Sequence, residues 1–194
     1  MVKLSGLNDP NLVEALKAGR VGVLRSDTIY GVMAVAANQE AASRLYGLKK
    51  RDRKPGTVIA ASIDQLVELG LKRRYLKAVE EYWPGAITVI VPTDNSELSY
   101  LDQGVGSLAV RVVDDAELAA LLQQTGALVT SSANHPGQEP ANTIEQAKDY
   151  FADEVDFYVD SGDLSGRQPS TIIRIVDDAI EVVRKGVVEV SENE

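Results

Sequence analysis

The sequence predicts an α/β fold in which one domain, spanning 1–194 with its core over about 8–188, carries a twisted mixed sheet flanked by helices. Short apolar strands alternate with capped helical segments through the early chain, the pattern of crossover units. The last two β-rich runs, 170–176 and 179–184, are separated only by Asp177-Asp178, and so short a turn joins antiparallel neighbours, which makes the sheet mixed. No Pro/Gly/Ser linker, internal repeat or heptad divides the 194 residues.

The elements follow in order. Asn8-Asp9-Pro10 opens a helix with a capping side chain and a proline near its first turn, and Gly19 follows its end. Strands are expected over 21–24 and 30–36, then a helix over 39–48 and a strand over 57–61. Ser62 and Gln65 fit a capping box. A helix over 73–82 is stopped by Trp83-Pro84-Gly85. Strands over 86–91 and 107–113 flank a loop rich in Asp, Ser and Gly. Asp115 starts a helix that Gly126 closes, and 127–131 reads as a buried strand. Thr143 and Gln146 form a second capping box, opening a helix that runs to about Phe151, and β-rich runs at 156–160, 170–176 and 179–184 end the chain.

Composition excludes several function classes. The chain is 44% hydrophobic, too apolar for a disordered tail. No stretch approaches the roughly 20 apolar residues of a membrane span, and the N-terminal segment lacks a signal-peptide core, so a soluble, cytoplasmic protein without a membrane partner is expected. With no cysteine and one histidine, His135, disulfides, thiol catalysis and the usual zinc sites are out. A net charge of −9, from 20 basic and 29 acidic residues, argues against a broad nucleic-acid surface. The chemistry is left to oxygen, lysine and arginine groups.

Four polar segments sit at strand ends. Arg25-Ser-Asp-Thr-Ile-Tyr-Gly31 offers hydroxyls at Ser26, Thr28 and Tyr30, which suit either a small polar ligand or a locally capped β-turn. Lys49-Lys-Arg-Asp-Arg-Lys54 packs five cations into six residues, suited to a polyanion such as a triphosphate or to a solvated helix end. Thr130-Ser-Ser-Ala-Asn134 closes a buried strand with small side chains that admit a phosphate or carboxylate. Gln168-Pro-Ser-Thr171 begins one strand and Arg184-Lys-Gly186 ends the next, so the two can close a site from its far side. His135 reads as an exposed loop imidazole. No G-x-S-x-G turn supports a serine hydrolase, and no Walker motif is present. Gly104-Val-Gly106 precedes a strand, which disqualifies it as a dinucleotide fingerprint.

Taken together and in this order, the segments resemble the Sua5/YrdC family, the TsaC-type threonylcarbamoyl-AMP synthases, in its short single-domain form. The resemblance runs from about Val13 to Gly186 through Ser26 to Gly31, Lys49-Lys-Arg51 with Lys54-Pro55, Trp83-Pro-Gly85, Ala109-Val-Arg111, Ser132-Ala-Asn134, Pro169-Ser-Thr171 and Arg184-Lys-Gly186. Arg25 stands where the family usually has proline and Ser26 where it has threonine. The basic loop is one residue shorter, which leaves Arg51 and Arg53 as alternatives for the phosphate-facing role. The related YciO branch typically carries Ser-Gly-Tyr where Thr28-Ile-Tyr30 stands here.

The resemblance implies a YrdC-like fold with a concave, positively lined cavity. It implies synthesis of threonylcarbamoyl-AMP and pyrophosphate from L-threonine, bicarbonate and ATP for the t6A modification of tRNA, with Mg²⁺ carried by ATP and no metal site of the protein's own. Thr28, Tyr30, Arg111 and Ser132 would hold threonine. Lys49, Arg51, Lys54, Ser131, Asn134, Ser170 and Arg184 would hold ATP, with Lys49, Arg51 and Arg184 acting on the reacting phosphates. The product would pass to t6A transferase proteins, with tRNA or double-stranded RNA as a possible partner. The alternative is an RNA-binding YrdC/YciO-like paralogue without synthase activity.

Overall fold

The computed structural model describes residues 2–50, 53–177 and 179–190. In chain order these form β1 (Val2–Lys3), α1 (Pro10–Lys17), β2 (Gly22–Arg25), β3 (Tyr30–Val35), α2 (Gln39–Leu48), β4 (Thr57–Ala60), α3 (Ile63–Glu68), α4 (Arg73–Lys77), β5 (Ile87–Pro92), α5 (Ser99–Asp102), β6 (Ser107–Val112), α6 (Ala116–Thr125), β7 (Leu128–Ser132), α7 (Ile144–Phe151), β8 (Phe157–Tyr158), β9 (Thr171–Val176) and β10 (Ala179–Arg184). The strands make one ten-stranded sheet in the order β1-β8-β2-β3-β7-β4-β6-β5-β9-β10. It is mixed: β4 runs parallel to β6 and β5 to β9, while β2–β3, β3–β7, β4–β7, β5–β6 and β9–β10 are antiparallel.

Period-two alternation sorts side chains between the two faces. Val32, Val58, Val89, Val110, Val129 and Ile173 point into the larger core, which α2, α3, α4, α5 and α7 cover. Met33, Ile59 and Leu128 point the other way, against Leu12 and Leu16 of α1 and Leu118 and Leu122 of α6. Those two helices cover only part of that face. Farther along, β6 offers Ser107, Ala109 and Arg111, β5 offers Thr88 and Ile90, and β9 offers Ile172 and Arg174, and over Ser107, Ala109, Ile90, Ile172 and Arg174 lies a groove instead of a helix. Small and polar residues at most of these positions leave only Ile90 and Ile172 as large apolar side chains there, too little for a helix to pack on.

The cap signals shape the helices with one systematic shift. Ser62 and Thr143 accept from the amides of Gln65 and Gln146, as a capping box requires. Each glutamine, however, reaches back one residue farther, to the amides of Ala61 (2.8 Å) and Asn142 (2.7 Å). The helix expected over 73–82 ends at Lys77, because Val79 at φ −129° leaves the helical region; a 3₁₀ turn follows at Glu80–Tyr82. The strand expected over 156–160 narrows to Phe157–Tyr158, since the Asp156 and Asp160 carboxylates bind the amides of Val21 and Gly162. The 92–107 loop holds α5, anchored by buried Leu98 and Leu101. Asp177 sits at φ 50° in the β9–β10 turn, whose Asp178 lies outside the described residues. His135 is no exposed loop residue: its ring packs edge-on to Tyr150 and Phe151, both at 5.4 Å. No helix among the described residues is long and apolar enough to cross a membrane.

Candidate active site

The β2–β3 hairpin pairs Arg25 with Tyr30, which leaves residues 26–29 as the turn at the end of the sheet. Ser26 organises that turn. Its Oγ donates to the Ile29 carbonyl (2.9 Å) and accepts from the amides of Thr28 (3.1 Å) and Ile29 (3.2 Å). The 3.0 Å contact between Ser26 Oγ and Thr28 Oγ1 joins the two hydroxyls, and either can donate. Ser26 supplies the local capping, while Thr28 borders the cavity.

Arg25 fastens the same turn to the rest of the molecule. Its guanidinium donates to Asp115 (2.5 and 3.3 Å), which N-caps α6, and to Glu117 (2.7 Å). Partial burial raises the Asp115 pKa, but the Arg25 and Leu118 donors outweigh it and hold the carboxyl below its ordinary range. Tyr30, expected to touch threonine, is fully buried and commits its hydroxyl elsewhere. It donates to the Gly162 carbonyl (2.9 Å) and accepts from the Ser161 amide (2.8 Å), so it props the 160–164 loop behind the turn. Burial pushes its phenol above the usual value.

A buried polar chain crosses the sheet from this turn. Arg111 makes a two-pronged ion pair with Asp27 (Nη2–Oδ1 2.6 Å, Nε–Oδ2 3.1 Å), and both side chains are only 4% exposed. The Arg111 Nη1 donates to Thr88 Oγ1 (2.8 Å), Thr88 contacts Ser170 Oγ (2.9 Å), and Arg184 Nη2 donates to Ser170 Oγ (3.2 Å) and to its carbonyl (2.7 Å). Removing one partner of such a pair leaves a buried charge uncompensated, at about 3–5 kcal/mol. The chain can approach so closely because Gly186 lies against Pro169-Ser170; a Cβ there would sit 2.3 Å from the Pro169 carbonyl oxygen.

The fourth wall is the end of β7. Ser131 and Ser132 line the cavity, and Ser131 Oγ is buried without a hydrogen-bond partner, the state of a group that awaits a ligand. Gly31 makes room beside them, since a Cβ there would lie 2.4 Å from Thr130 Oγ1. Behind this wall stands Lys49, 4% exposed. Its ammonium donates to the Ser132 carbonyl (2.6 Å), to Asn134 Oδ1 (2.8 Å) and to the Asn134 carbonyl. Asn134 in turn accepts from Ser132 Oγ (2.7 Å) and donates to the Gln138 carbonyl (2.5 Å). Sequence placed Lys49 and Asn134 on a triphosphate; in this arrangement they brace the serine wall, and neither borders the open space.

Two adjoining spaces result. A small polar recess is walled by Ser26, Thr28, Arg111, Ser131, Ser170 and Arg184, among others. It shares Thr57, Thr130, Ser131, Ser132 and Arg184 with a groove of about 350 Å³ that runs over Ile90, Val105, Ile172 and Val183 and past Arg174. Of the expected residues, the structure brings together Thr28, Tyr30, Arg111, Ser131, Ser132, Ser170 and Arg184, Tyr30 as part of the lining with its hydroxyl held by the 160–164 loop. Lys54 lies exposed near the rim, its amide donating to Gln103 Oε1 (3.1 Å), while the neighbouring Pro55 borders the groove. Arg51 lies outside the described residues, and Arg53 is exposed at φ 52°. Asp27, Thr88 and Arg174 were missed. Asp27 stood inside the first polar segment, and Thr88 and Arg174 carry a readable signal: each is a polar residue on the strand parity opposite the core.

The chain has known relatives in sequence and in fold. The family model described as "Telomere recombination", grouping Sua5, YciO and YrdC proteins, matches residues 14–186. The threonylcarbamoyl-AMP synthase of Marinobacter nauticus is 33% identical over 168 residues, 84% of this chain and 88% of that protein. The enzyme of the same name from Idiomarina loihiensis is 30% identical over 174 residues, 86% of this chain and 92% of that protein. Among solved structures, E. coli YciO superposes with a TM-score of 0.79 at 23% identity, covering 97% of this chain and 98% of that one. P. abyssi Sua5, crystallised in complex with L-threonine, gives 0.78 at 21% identity over 91% of this chain, which spans 53% of that longer protein. By the match of the family model and by these relatives, the chain belongs to the Sua5/YciO/YrdC family.

Proposed function

We propose that the protein is an L-threonylcarbamoyladenylate synthase, a nucleotidyltransferase that joins L-threonine, bicarbonate and ATP and releases pyrophosphate. The observation that carries this reading is the juxtaposition of a small hydroxyl-and-guanidinium recess with a larger groove whose walls are apolar and whose cations are Arg174 and Arg184. The recess suits the amino acid, with the Thr28 hydroxyl on one wall and Arg111 as a donor on the other. The groove suits ATP, with Ile90, Val105, Ile172 and Val183 for the base and the arginines for phosphate. The names of the relatives favour the same reaction.

The threonine amine forms a C–N bond to the bicarbonate carbon, releasing water and a proton, and an oxygen of the resulting carbamate attacks the α-phosphorus while pyrophosphate leaves. No protein nucleophile is required. The chain's own work is positioning and charge stabilisation: Ser132 and the unpartnered Ser131 face the boundary where carbamate and α-phosphate meet, and Arg184 stands on both sides of it. Mg²⁺ would arrive bound to the triphosphate, since the groove's charged side chains are cations and do not ligate a metal. Product would be handed in the cytoplasm to t6A transferase proteins acting on tRNA. The test is pyrophosphate release, which must require both L-threonine and bicarbonate. Release without either substrate, or none with both, ends the reading, and a steeply salt-dependent RNA affinity in their place would support the RNA-binding alternative.

A further inference from the structure

We propose that Asp27 and Thr88 are the positioning residues that set the polarity of the recess: Asp27 fixes the plane of the Arg111 guanidinium, and Thr88 turns the Ser170 hydroxyl proton outward, so that arginine and serine together face the carboxylate of an α-amino acid. This rests on the synthase reading for the identity of the amino acid.

Proton bookkeeping carries the inference. Thr88 Oγ1 accepts from Arg111 Nη1, and Ser170 Oγ accepts from Arg184 Nη2, so cations donate at both ends of the hydroxyl pair. Between the two oxygens, 2.9 Å apart, lies one proton; the two hydroxyls own two. If Ser170 supplied the shared proton, the spare one would sit on Thr88, which is wholly buried and, among the described residues, has no acceptor at hydrogen-bond distance besides Ser170. A buried unmade hydrogen bond is costly, so Thr88 donates to Ser170 and the spare proton stays on Ser170, which borders the recess. The Asp27 pair uses Arg111 Nε and one Nη2 proton, Thr88 uses one Nη1 proton, and two guanidinium protons remain for a ligand. Opposite them stands the Thr28 hydroxyl, joined to Ser26 Oγ. Donors on one wall match a carboxylate, and the hydroxyl on the other can meet its neighbouring amine or hydroxyl.

The test is calorimetric titration of the full chain with L-threonine and, separately, with ATP, using Thr88→Val, Thr88→Ser and Asp27→Asn. Losing one charge-assisted hydrogen bond is expected to weaken L-threonine binding by about tenfold or more in Thr88→Val. Thr88→Ser keeps the hydroxyl and should stay within about threefold of the parent, and ATP affinity measured alone should move less than threonine affinity in all three. Asp27→Asn, equal in size but with a donor turned on Arg111, should lose about tenfold or more for threonine and keeps the test open if the valine variant does not fold. Equal behaviour of valine and serine variants, equal losses for ATP and threonine, or an unaltered Asp27→Asn overturns the assignment. If the unmodified chain binds and turns over threonine in those cases, only the assignment falls; if it binds no threonine at all, the synthase reading falls with it.

Discussion

The recess and the groove share a wall yet are built by opposite means. In the recess, Asp27, Thr88 and Arg111 are buried and already bonded to one another. In the groove, Val105 and Val183 are 44% and 47% exposed, and Arg174 is paired with the exposed Glu181. A preorganised polar recess discriminates, because a ligand that fails to match leaves buried groups unpaired. An open groove with apolar walls and two arginines grips by area and charge, and tolerates variation.

The largest expected effect tests the recess through its substrate. L-valine replaces the threonine hydroxyl by a methyl and should be turned over about 10⁴-fold less efficiently, whereas L-serine, lacking only a methyl, should lose roughly 1–3 kcal/mol. Comparable kcat/KM for valine and threonine would show that the recess does not read the hydroxyl. Next comes Arg111→Ala, which strands Asp27 and should cost about 3–5 kcal/mol in denaturant unfolding, while Arg174→Ala in the groove should cost under about 1 kcal/mol. Similar losses for the two would erase the distinction between the spaces.

A smaller effect belongs to the shared wall. Arg184→Ala should raise the KM for ATP about tenfold or more, with a fall in kcat if its contact tightens on the leaving pyrophosphate. Lys49→Ala should instead impair threonine and ATP use together, as its ammonium holds the serine wall common to both; a selective ATP defect would return Lys49 to the phosphates. Acid stability should follow Asp115 and Asp156, whose folded pKa values are both lowered. A lowered carboxyl stabilises the fold above its unfolded value near 3.9, and that contribution disappears as pH falls through the folded value, so the melting temperature should drop below about pH 4. The least effect is expected from Arg73→Ala and Arg74→Ala, each within about 0.5 kcal/mol and without kinetic consequence, since both side chains are exposed and, among the described residues, pair with Asp64, Asp94 and Tyr75 alone.

Legibility in the sequence tracked the range of the interaction that decides each feature. Helix starts at Asp9, Ser62, Asp115 and Thr143 were readable because a cap acts over three residues. Strand parity was readable too: in Ser107-Leu-Ala-Val-Arg-Val112 the small and polar residues alternate with core positions, which places Arg111 on the open face. The direction in which Lys49 points was not readable, because its acceptors lie at Ser132 and Asn134 and no local pattern names them. The hydroxyl of Tyr30 was assigned to substrate for the same reason, with its partner out at Gly162.

Those distances in sequence have a consequence for how the protein comes to life. The bonds Asp27–Arg111, Thr88–Ser170, Lys49–Asn134 and Tyr30–Gly162 join residues 84, 82, 85 and 132 apart. Closing such loops is entropically expensive and comes late in folding. On a ribosome the far wall emerges after the other walls of the recess, since Ser170 is seated by Arg184 and by Gly186 packing beneath it. A nascent chain can therefore build most of its sheet while owning no pocket, and ligand binding reports that synthesis has passed β10.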